Sequence, residues 1–496
     1  MTTAASALQP IFIGGAWRPG RGAPVVSVNP VDGSVNASLA GADASDVAEA
    51  VERGVAAMHA PAWRNLLPHE RARIIRRIGD GIAAETETLA LLQLRDNGKP
   101  LYETRGLVIS AANTFGFFAS ALETLESEVT PSRGAFLTLT TYQPLGVVGA
   151  ITPWNSPIAS EAQKVAPALA AGCAVVLKPS ELTPLLALEL GRIAQAAGLP
   201  DGLLSVVPGT GAVAGAALVA HPDVRKISFT GGTETGRAIA RAAADKLMPL
   251  TLELGGKSPT IVFADADLDI AINGVLFGIF SSQGQSCIAG SRLFVQRAIY
   301  ATFVERLVAR AKQLRVGDPL DPQTHLGPLI SAPQRAKVES YVELARAEGG
   351  RILCGGRRPE GAAFANGTFY EPTIVEGLSN RSRVCQEEIF GPILAVLPFD
   401  DEADVITQAN DTVYGLACGI WTGDYKRAWR VGTAIAAGTL WINTYKQFSI
   451  STPFAGAKAS GMGVEKGRTG IRSYQQEQSV YWGLDEQPNP WANAPQ

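Results

Sequence analysis

Histidine is scarce in this chain: His59, His69, His221 and His325 are the four in 496 residues. None stands beside Cys287, so the Cys–His pair of a thiol hydrolase has no support here. Cysteine is scarce as well. The five, at positions 173, 287, 354, 385 and 418, form an odd set without CxxC pairs, which argues against a disulfide framework and against a zinc or other metal site. A surplus of one charge is missing: 43 Lys and Arg against 46 Asp and Glu leave −3, and nothing in that balance suggests nucleic acid as a partner. Long apolar runs are missing too. The most continuous, Val165 to Leu177, is too short to span a bilayer and contains Pro167. The stretch Met1-Thr2-Thr3-Ala4-Ala5 lacks the basic start of a secretory signal, and the expectation is a cytoplasmic protein with no membrane partner.

What is present is the balance of a folded globular protein, 46% hydrophobic and 18% charged residues, in a chain long enough for two or three domains. Helical and strand signals alternate. Asp46 to Ala57 and Pro68 to Ala84 carry helical periodicity. A strand, Leu145 to Thr152, ends at Pro153-Trp154-Asn155, and a helix follows to near Gly172. Strand Ala174 to Leu177 runs into Lys178-Pro179-Ser180-Glu181, and helix Thr183 to Ala197 follows. Strand Leu203 to Val207 meets the turn Pro208-Gly209-Thr210-Gly211. Strand Lys226 to Phe229 meets Thr230-Gly231-Gly232-Thr233-Glu234-Thr235-Gly236, then a helix. Repeated strand–loop–helix units predict an α/β fold with a doubly wound parallel sheet, whose ligands sit at the carboxyl ends of strands. Ala135 to Tyr142 and Ser479 to Trp482 read instead as extended strands that pair with each other or with another subunit. The tail Pro488 to Gln496 reads as loose.

Cys287 lies in Ser281-Ser282-Gln283-Gly284-Gln285-Ser286-Cys287-Ile288-Ala289-Gly290, among small uncharged neighbours, and upstream stands Leu252-Glu253-Leu254-Gly255-Gly256-Lys257. A nucleophilic thiol needs a base, for itself or for the water that attacks its covalent intermediate, and Glu253 is the natural one. It also needs donors for an oxyanion, and the amide of Asn155 at a strand end can supply one. The turn at Gly231-Gly232 can face a phosphate with backbone N–H groups, though read alone it fits an ordinary strand-to-helix turn equally well. Glu181 beside Lys178 can accept from a ribose 2′-hydroxyl and repel a 2′-phosphate. Glu388-Ile389-Phe390-Gly391-Pro392 sets an acid for sugar hydroxyls beside an aromatic for a flat ring.

Taken in order, these motifs resemble the aldehyde dehydrogenase superfamily over nearly the whole chain. They are Pro153-Trp154-Asn155, Lys178-Pro179-Ser180-Glu181, Phe229-Thr230-Gly231, Glu253-Leu254-Gly255-Gly256-Lys257, Gly284-Gln285-Ser286-Cys287, Glu388-Ile389-Phe390-Gly391-Pro392 and Pro453-Phe454-Ala455-Gly456. The resemblance implies a Rossmann-type cofactor domain (1–123 and 145–254), an α/β catalytic domain (255–471) and a β oligomerisation arm (124–144 and 472–496) serving a homodimer or homotetramer. It implies a catalytic set of Cys287, Glu253, Asn155 and Lys178, with Cys287 forming a thiohemiacetal and then a thioester that Glu253-activated water hydrolyses. It implies NAD, with NADP less favoured, held by Thr152, Trp154, Lys178, Ser180, Glu181, Gly211, Phe229, Gly231, Gly232, Leu254, Glu388 and Phe390. By family analogy Lys257 supports proton movement around Glu253.

Gly232 departs from the family pattern, in which many members carry a Ser that touches the pyrophosphate. On the substrate side, Ser156, Ala159, Ser160 and Gln163 share one helical face that is small and polar. With Ser286 and Ile288 beside the cysteine and Phe448 and Ile450 opposite, this predicts a wide tunnel for a bulky or polar aldehyde: aromatic, semialdehyde or aminoaldehyde. Lys446 stands near the mouth as a contact for an anionic substrate. Two alternatives are weighed. A CoA-acylating semialdehyde dehydrogenase does without a base such as Glu253, and a non-catalytic crystallin-like protein has no need of Cys287, Glu253 and Asn155 together.

Overall fold

The computed structural model describes residues 8–486 and Trp491; the tail read as loose falls, apart from Trp491, outside them. Five parallel strands build the first sheet: β1 (Val147–Ile151), β2 (Ala174–Lys178), β3 (Leu204–Val206), β4 (Val224–Thr230) and β5 (Leu250–Glu253). Their spatial order is β3-β2-β1-β4-β5. β1 and β2 are buried along their whole length, as parallel strands covered on both faces must be. The order reverses between β1 and β4, and there a crevice opens at the carboxyl ends of the strands. Antiparallel segments close both edges, Ile11–Ile13 beside β3 and Gly461–Met462 beside β5. That second pairing lays a segment from late in the chain directly on Leu252 and Glu253.

The second sheet runs β8-β9-β7-β6-β10-β11, all parallel, from β6 (Pro259–Val262), β7 (Arg292–Gln296), β8 (Thr373–Glu376), β9 (Ile393–Phe399), β10 (Ala417–Trp421) and β11 (Thr439–Ile442). Arg351–Cys354 adds an antiparallel edge to β8. A third, three-stranded sheet joins Glu128–Thr130, Phe136–Pro144 and Gln475–Gly483. Here the two extended segments expected from the sequence pair with each other, from Gln475 opposite Pro144 to Gly483 opposite Phe136.

Helix α1 (Pro157–Ala171) starts with Pro at its first position and stops at Gly172, whose φ of 97° suits a residue without Cβ. Helix α2 (Thr233–Ala244) begins earlier than the sequence suggests, with Gly232 as N-cap. Gly236 therefore lies inside its first turn rather than before it. A Cβ there would come within 2.4 Å of Leu254, so close packing, not a turn, requires the glycine. Gly211 opens a π-helical turn, Gly211–Gly215, rather than a plain loop. Among the described residues no helix is long and apolar enough to cross a membrane, and no cluster of His, Cys, Asp and Glu could hold a metal ion.

Candidate active site

Helix α3 (Leu268–Phe280) delivers the chain to the cysteine loop, which turns sharply. Ser282, Gln283 and Gly284 take φ of 58°, 55° and 69°, three left-handed residues in succession. Two of them are not glycine, so the surroundings must hold the shape. The Glu103 carboxylate accepts from the Ser282 N–H at 2.9 Å and from its Oγ at 2.7 Å. Gln283 Nε2 donates to the Gly98 carbonyl at 3.0 Å. A Cβ on Gly284 would fall 2.2 Å from the Gly391 carbonyl oxygen, and one on Gly256 would fall 2.3 Å from that of Cys287. The cysteine backbone is thus clamped between two glycines. Tyr445 donates its hydroxyl to the Ile288 carbonyl at 3.0 Å.

Asn155 meets this loop from β1. Its Nδ2 donates to the Gln285 carbonyl at 3.0 Å, which fixes the amide in the cleft that Cys287 lines. Glu253 ends β5, is 4% exposed, and neither carboxylate oxygen has a hydrogen-bond partner. Burial first, and then the charge of Glu465, raise its pKa well above the usual carboxylate range, against Lys164 and Lys466. The Cys287 thiol is pushed up to about 12, mainly by burial and then by Glu253 and Glu388, with Lys446 opposing. The thiol therefore rests protonated at neutral pH. A buried network stands behind Glu253: Lys164 Nζ contacts Glu465 Oε1 at 2.5 Å, and Ser228 Oγ lies 3.1 Å from each.

Lys257, expected to serve Glu253, is buried elsewhere. Its pKa falls to about 8 through burial, and the charges acting on it are Cys385, Arg292, Glu388 and Lys337. The ammonium groups that act on Glu253 are Lys164 and Lys466. Lys178 stands at the end of β2 and donates to the Pro179 carbonyl at 2.9 Å and to Glu181 at 3.4 Å. It belongs with Glu181, and its ammonium touches none of Cys287, Asn155 and Glu253 among the described residues.

A cleft of about 180 Å³ spans the β1/β4 crevice and reaches Cys287; Trp154, Asn155, Gly231, Gly232, Leu254, Glu388 and Phe390 are among its walls. Phe390 takes a left-handed φ of 60° and sets its ring edge-on to Trp154, with centroids 5.1 Å apart. Gln334 holds that kink by donating to the Phe390 carbonyl at 2.8 Å. Glu388 accepts from the Gly256 N–H at 2.9 Å, and a Cβ on Gly255 would strike its carboxylate at 2.4 Å. Gly231 has no room for a Cβ, which would lie 2.4 Å from the Phe229 ring, whereas Gly232 faces open space. Thr152 Oγ1 is buried without a partner, and Ser180 caps its own turn by accepting from the Leu182 N–H at 3.3 Å. Gly211 is exposed, at the start of its π-turn. A larger hollow, about 710 Å³, lies at the root of the arm near Trp63, Arg71, Tyr142 and Arg472, and Cys287, Asn155 and Glu253 are not among its walls.

On α1, Ser156, Ser160 and Gln163 are half-buried, while Ala159 and the remaining residues of the helix are buried. Ser286 is half-buried, and Ile288 packs in the catalytic core with Tyr445 and Phe454. Phe448 meets Trp441 and Phe454 edge-on at 5.5 and 5.7 Å, and Ile450 leans on the core of the first sheet. Lys446 donates its Nζ to the neutral Ser281 Oγ at 2.8 Å, with no carboxylate in contact among the described residues. Sequence reasoning missed Glu103, Lys164, Glu465 and Lys466. No local pattern marks them, since Glu103 is 179 residues from Ser282 and Lys164 is 301 from Glu465.

The family model described as "Aldehyde dehydrogenase family" matches residues 17–480. A betaine aldehyde dehydrogenase of Cereibacter sphaeroides is 45% identical over 473 residues, covering 95% of this chain and 96% of that protein. The crystal structure of betaine aldehyde dehydrogenase from Staphylococcus aureus in complex with NAD+ is 35% identical with a TM-score of 0.96, covering 98% of this chain and 97% of that one. The crystal structure of PnpE in complex with nicotinamide adenine dinucleotide is 42% identical with a TM-score of 0.95, covering 98% of this chain and all (100%) of that one. With this sheet order and this cysteine cleft, the chain belongs to the aldehyde dehydrogenase family.

Proposed function

We propose that this protein is an NAD-dependent aldehyde dehydrogenase that oxidises a bulky or polar aldehyde to the carboxylic acid by way of a Cys287 thioester. The observation that carries the reading is the convergence of Cys287, Asn155 and the β1/β4 crevice on one cleft, with Glu253 acting on the thiol. Residues 1–123 and 145–254 make the cofactor domain, 255–471 the catalytic domain, and 124–144 with 472–496 the arm of a homodimer or homotetramer in the cytoplasm.

The residues fit a dinucleotide. Gly231 permits close backbone approach where a side chain would collide with Phe229, and the partnerless Thr152 hydroxyl has a donor to give. Lys178, Ser180 and Glu181 would hold the adenine-side ribose, with Gly211 beside them. Phe229, Gly231, Gly232 and Leu254 would line the middle, and Trp154, Glu388 and Phe390 the nicotinamide end. Glu181 disfavours a 2′-phosphate and hence NADP. When bound, the nicotinamide supplies the acceptor for the hydride that leaves the thiohemiacetal carbon.

The thiol of Cys287 gives its proton to the ionised Glu253 carboxylate, which passes it on before the next step, and the sulfur adds to the aldehyde carbon. The Asn155 amide and the Cys287 N–H stabilise the resulting oxyanion. The thioester is then attacked by water whose proton passes to Glu253, a carboxylate that burial makes a strong base once ionised. Behind it, Glu465 and Lys164 offer a buried exit for that proton. Ser156, Ala159, Ser160, Gln163, Ser286, Ile288, Phe448 and Ile450 surround the acyl chain. The test is NADH formation across aldehydes from acetaldehyde to bulky, carboxylated and amino aldehydes, repeated with NADP. Turnover with NAD and preference for the larger or charged members is expected; a clear preference for short alkanals would sink the wide-tunnel reading, and silence throughout would sink the activity.

A further inference from the structure

Three buried lysines around the site have carboxylate partners: Lys99 with Glu103 at 3.7 Å, Lys164 with Glu465 at 2.5 Å, and Lys178 with Glu181 at 3.4 Å. Lys446 and Lys466 have none among the described residues. The Lys446 ammonium donates to Ser281 Oγ at 2.8 Å and to the Ser281 carbonyl at 3.4 Å, and it lies 5.9 Å from the centre of the Phe277 ring. Lys466 is 7% exposed, and its Nζ lies 4.0 Å from the centre of the Phe448 ring and 5.1 Å from that of Phe454. Each backbone is left-handed, with φ of 54° and 60°, a conformation lysine adopts only where its surroundings impose it. The charges of both act on Cys287, and that of Lys466 on Glu253 as well.

An ammonium held partly or wholly out of water with no carboxylate in contact is costly, and here Glu103 acts on Lys446, and Glu465 and Glu253 on Lys466, only from beyond ion-pair distance. Burial lowers the Lys446 pKa to about 7, Lys99 adds to the lowering, and Glu103 and Cys287 oppose it. A carboxylate arriving with the substrate would supply the missing partner. A quaternary ammonium would not: such a cation is recognised by the faces of aromatic rings, and here Lys466 itself covers a face of Phe448. This separates the chain from relatives named for betaine aldehyde, whose substrate carries a fixed positive charge.

We propose that Lys446 and Lys466 make the site selective for an aldehyde carrying a carboxylate at its far end, a semialdehyde, over a quaternary-ammonium aldehyde. This rests on the aldehyde-oxidising activity argued above and names its substrate class. The chemistry balances as before: semialdehyde, NAD+ and water give dicarboxylate, NADH and two protons.

The test compares kcat/KM with NAD for succinic semialdehyde, butanal and betaine aldehyde in the wild type and in Lys446→Met, Lys466→Met and Lys446→Arg. The wild type is expected to favour the semialdehyde over butanal by roughly tenfold or more, with betaine aldehyde last. Each Met substitution should cut that ratio about tenfold, chiefly through KM, and Lys446→Arg should retain more of it. A second readout needs no variant: succinate should compete with the aldehyde at least about tenfold better than butyramide, and glycine betaine should compete worst. Wild-type preference for butanal or betaine aldehyde, stronger inhibition by glycine betaine, or an unchanged ratio in both Met variants would overturn the selectivity while leaving aldehyde oxidation standing. No NADH from any of the three aldehydes would instead overturn the activity on which it rests.

Discussion

Cys287 rests as the thiol because desolvation and the charges of Glu253 and Glu388 raise its pKa, while burial and the charge of Glu465 raise that of Glu253. For the thiol the sign is simple. With its pKa raised to about 12, the thiolate fraction is small at neutral pH and grows with pH up to that value. Alkylation of Cys287 by iodoacetamide, followed on its own peptide by mass spectrometry, should therefore accelerate about tenfold per pH unit between about pH 7 and pH 10. A rate that is already flat at neutral pH would mean that the resting thiol is ionised. At this scale the sequence was most legible: Cys287, its polar neighbours and Glu253 announce themselves by type and spacing. The electrostatic setting was not, because the charges that act on the thiol, Lys446 and Glu388 besides Glu253, come from distant segments.

The cysteine loop and the start of α2 carry the two glycines that distinguish geometry from composition. Gly284 has φ of 69° and no room for a Cβ against Gly391, so Gly284→Ala should cost about 1 kcal/mol for the backbone alone. The displaced loop should lose on the order of 10²-fold in kcat, read beside a lowered Tm. Near wild-type activity would show that the loop tolerates another shape. Gly232 is the opposite case: it caps α2 with φ −68° and ψ 144°, a conformation that serine also adopts, and its Cβ would meet nothing. Gly232→Ser should tighten NAD several-fold, about 1 kcal/mol for one added hydrogen bond, in a fluorescence titration. Unchanged or weaker binding would show that no phosphate lies at this helix start. The strand ends flanking these turns were readable from β-branched runs and Gly/Pro punctuation. The first turn of α2 was not, since a glycine that packs against Leu254 looks in sequence like a glycine that breaks a helix.

Over the whole molecule, the arm displays apolar side chains that a lone chain has no reason to expose: Val129 at 68%, Tyr481 at 72% and Trp482 at 64%. Its strand Gln475–Gly483 is also an open sheet edge. Sedimentation should show the wild type as a dimer or larger and the double variant Tyr481→Asp, Trp482→Asp as a smaller species; a monomeric wild type would contradict an assembly role. The sequence disclosed this arm as two stray strands but left open whether they pair with each other or with another subunit, because pairing across more than 300 residues leaves no local mark. The same holds for the site, where Glu465, Lys466 and Lys446 approach Cys287 and Glu253 only once the late segment folds back along β5. The central claim is a thioester on Cys287 that Glu253 clears. Mixing Glu253→Gln enzyme with NAD and an aldehyde substrate of the wild type should give a burst of NADH close to one equivalent per site. Steady turnover should then fall about 10²- to 10⁴-fold, with the acyl mass on the Cys287 peptide. Undiminished steady turnover with no mass on that peptide would contradict it.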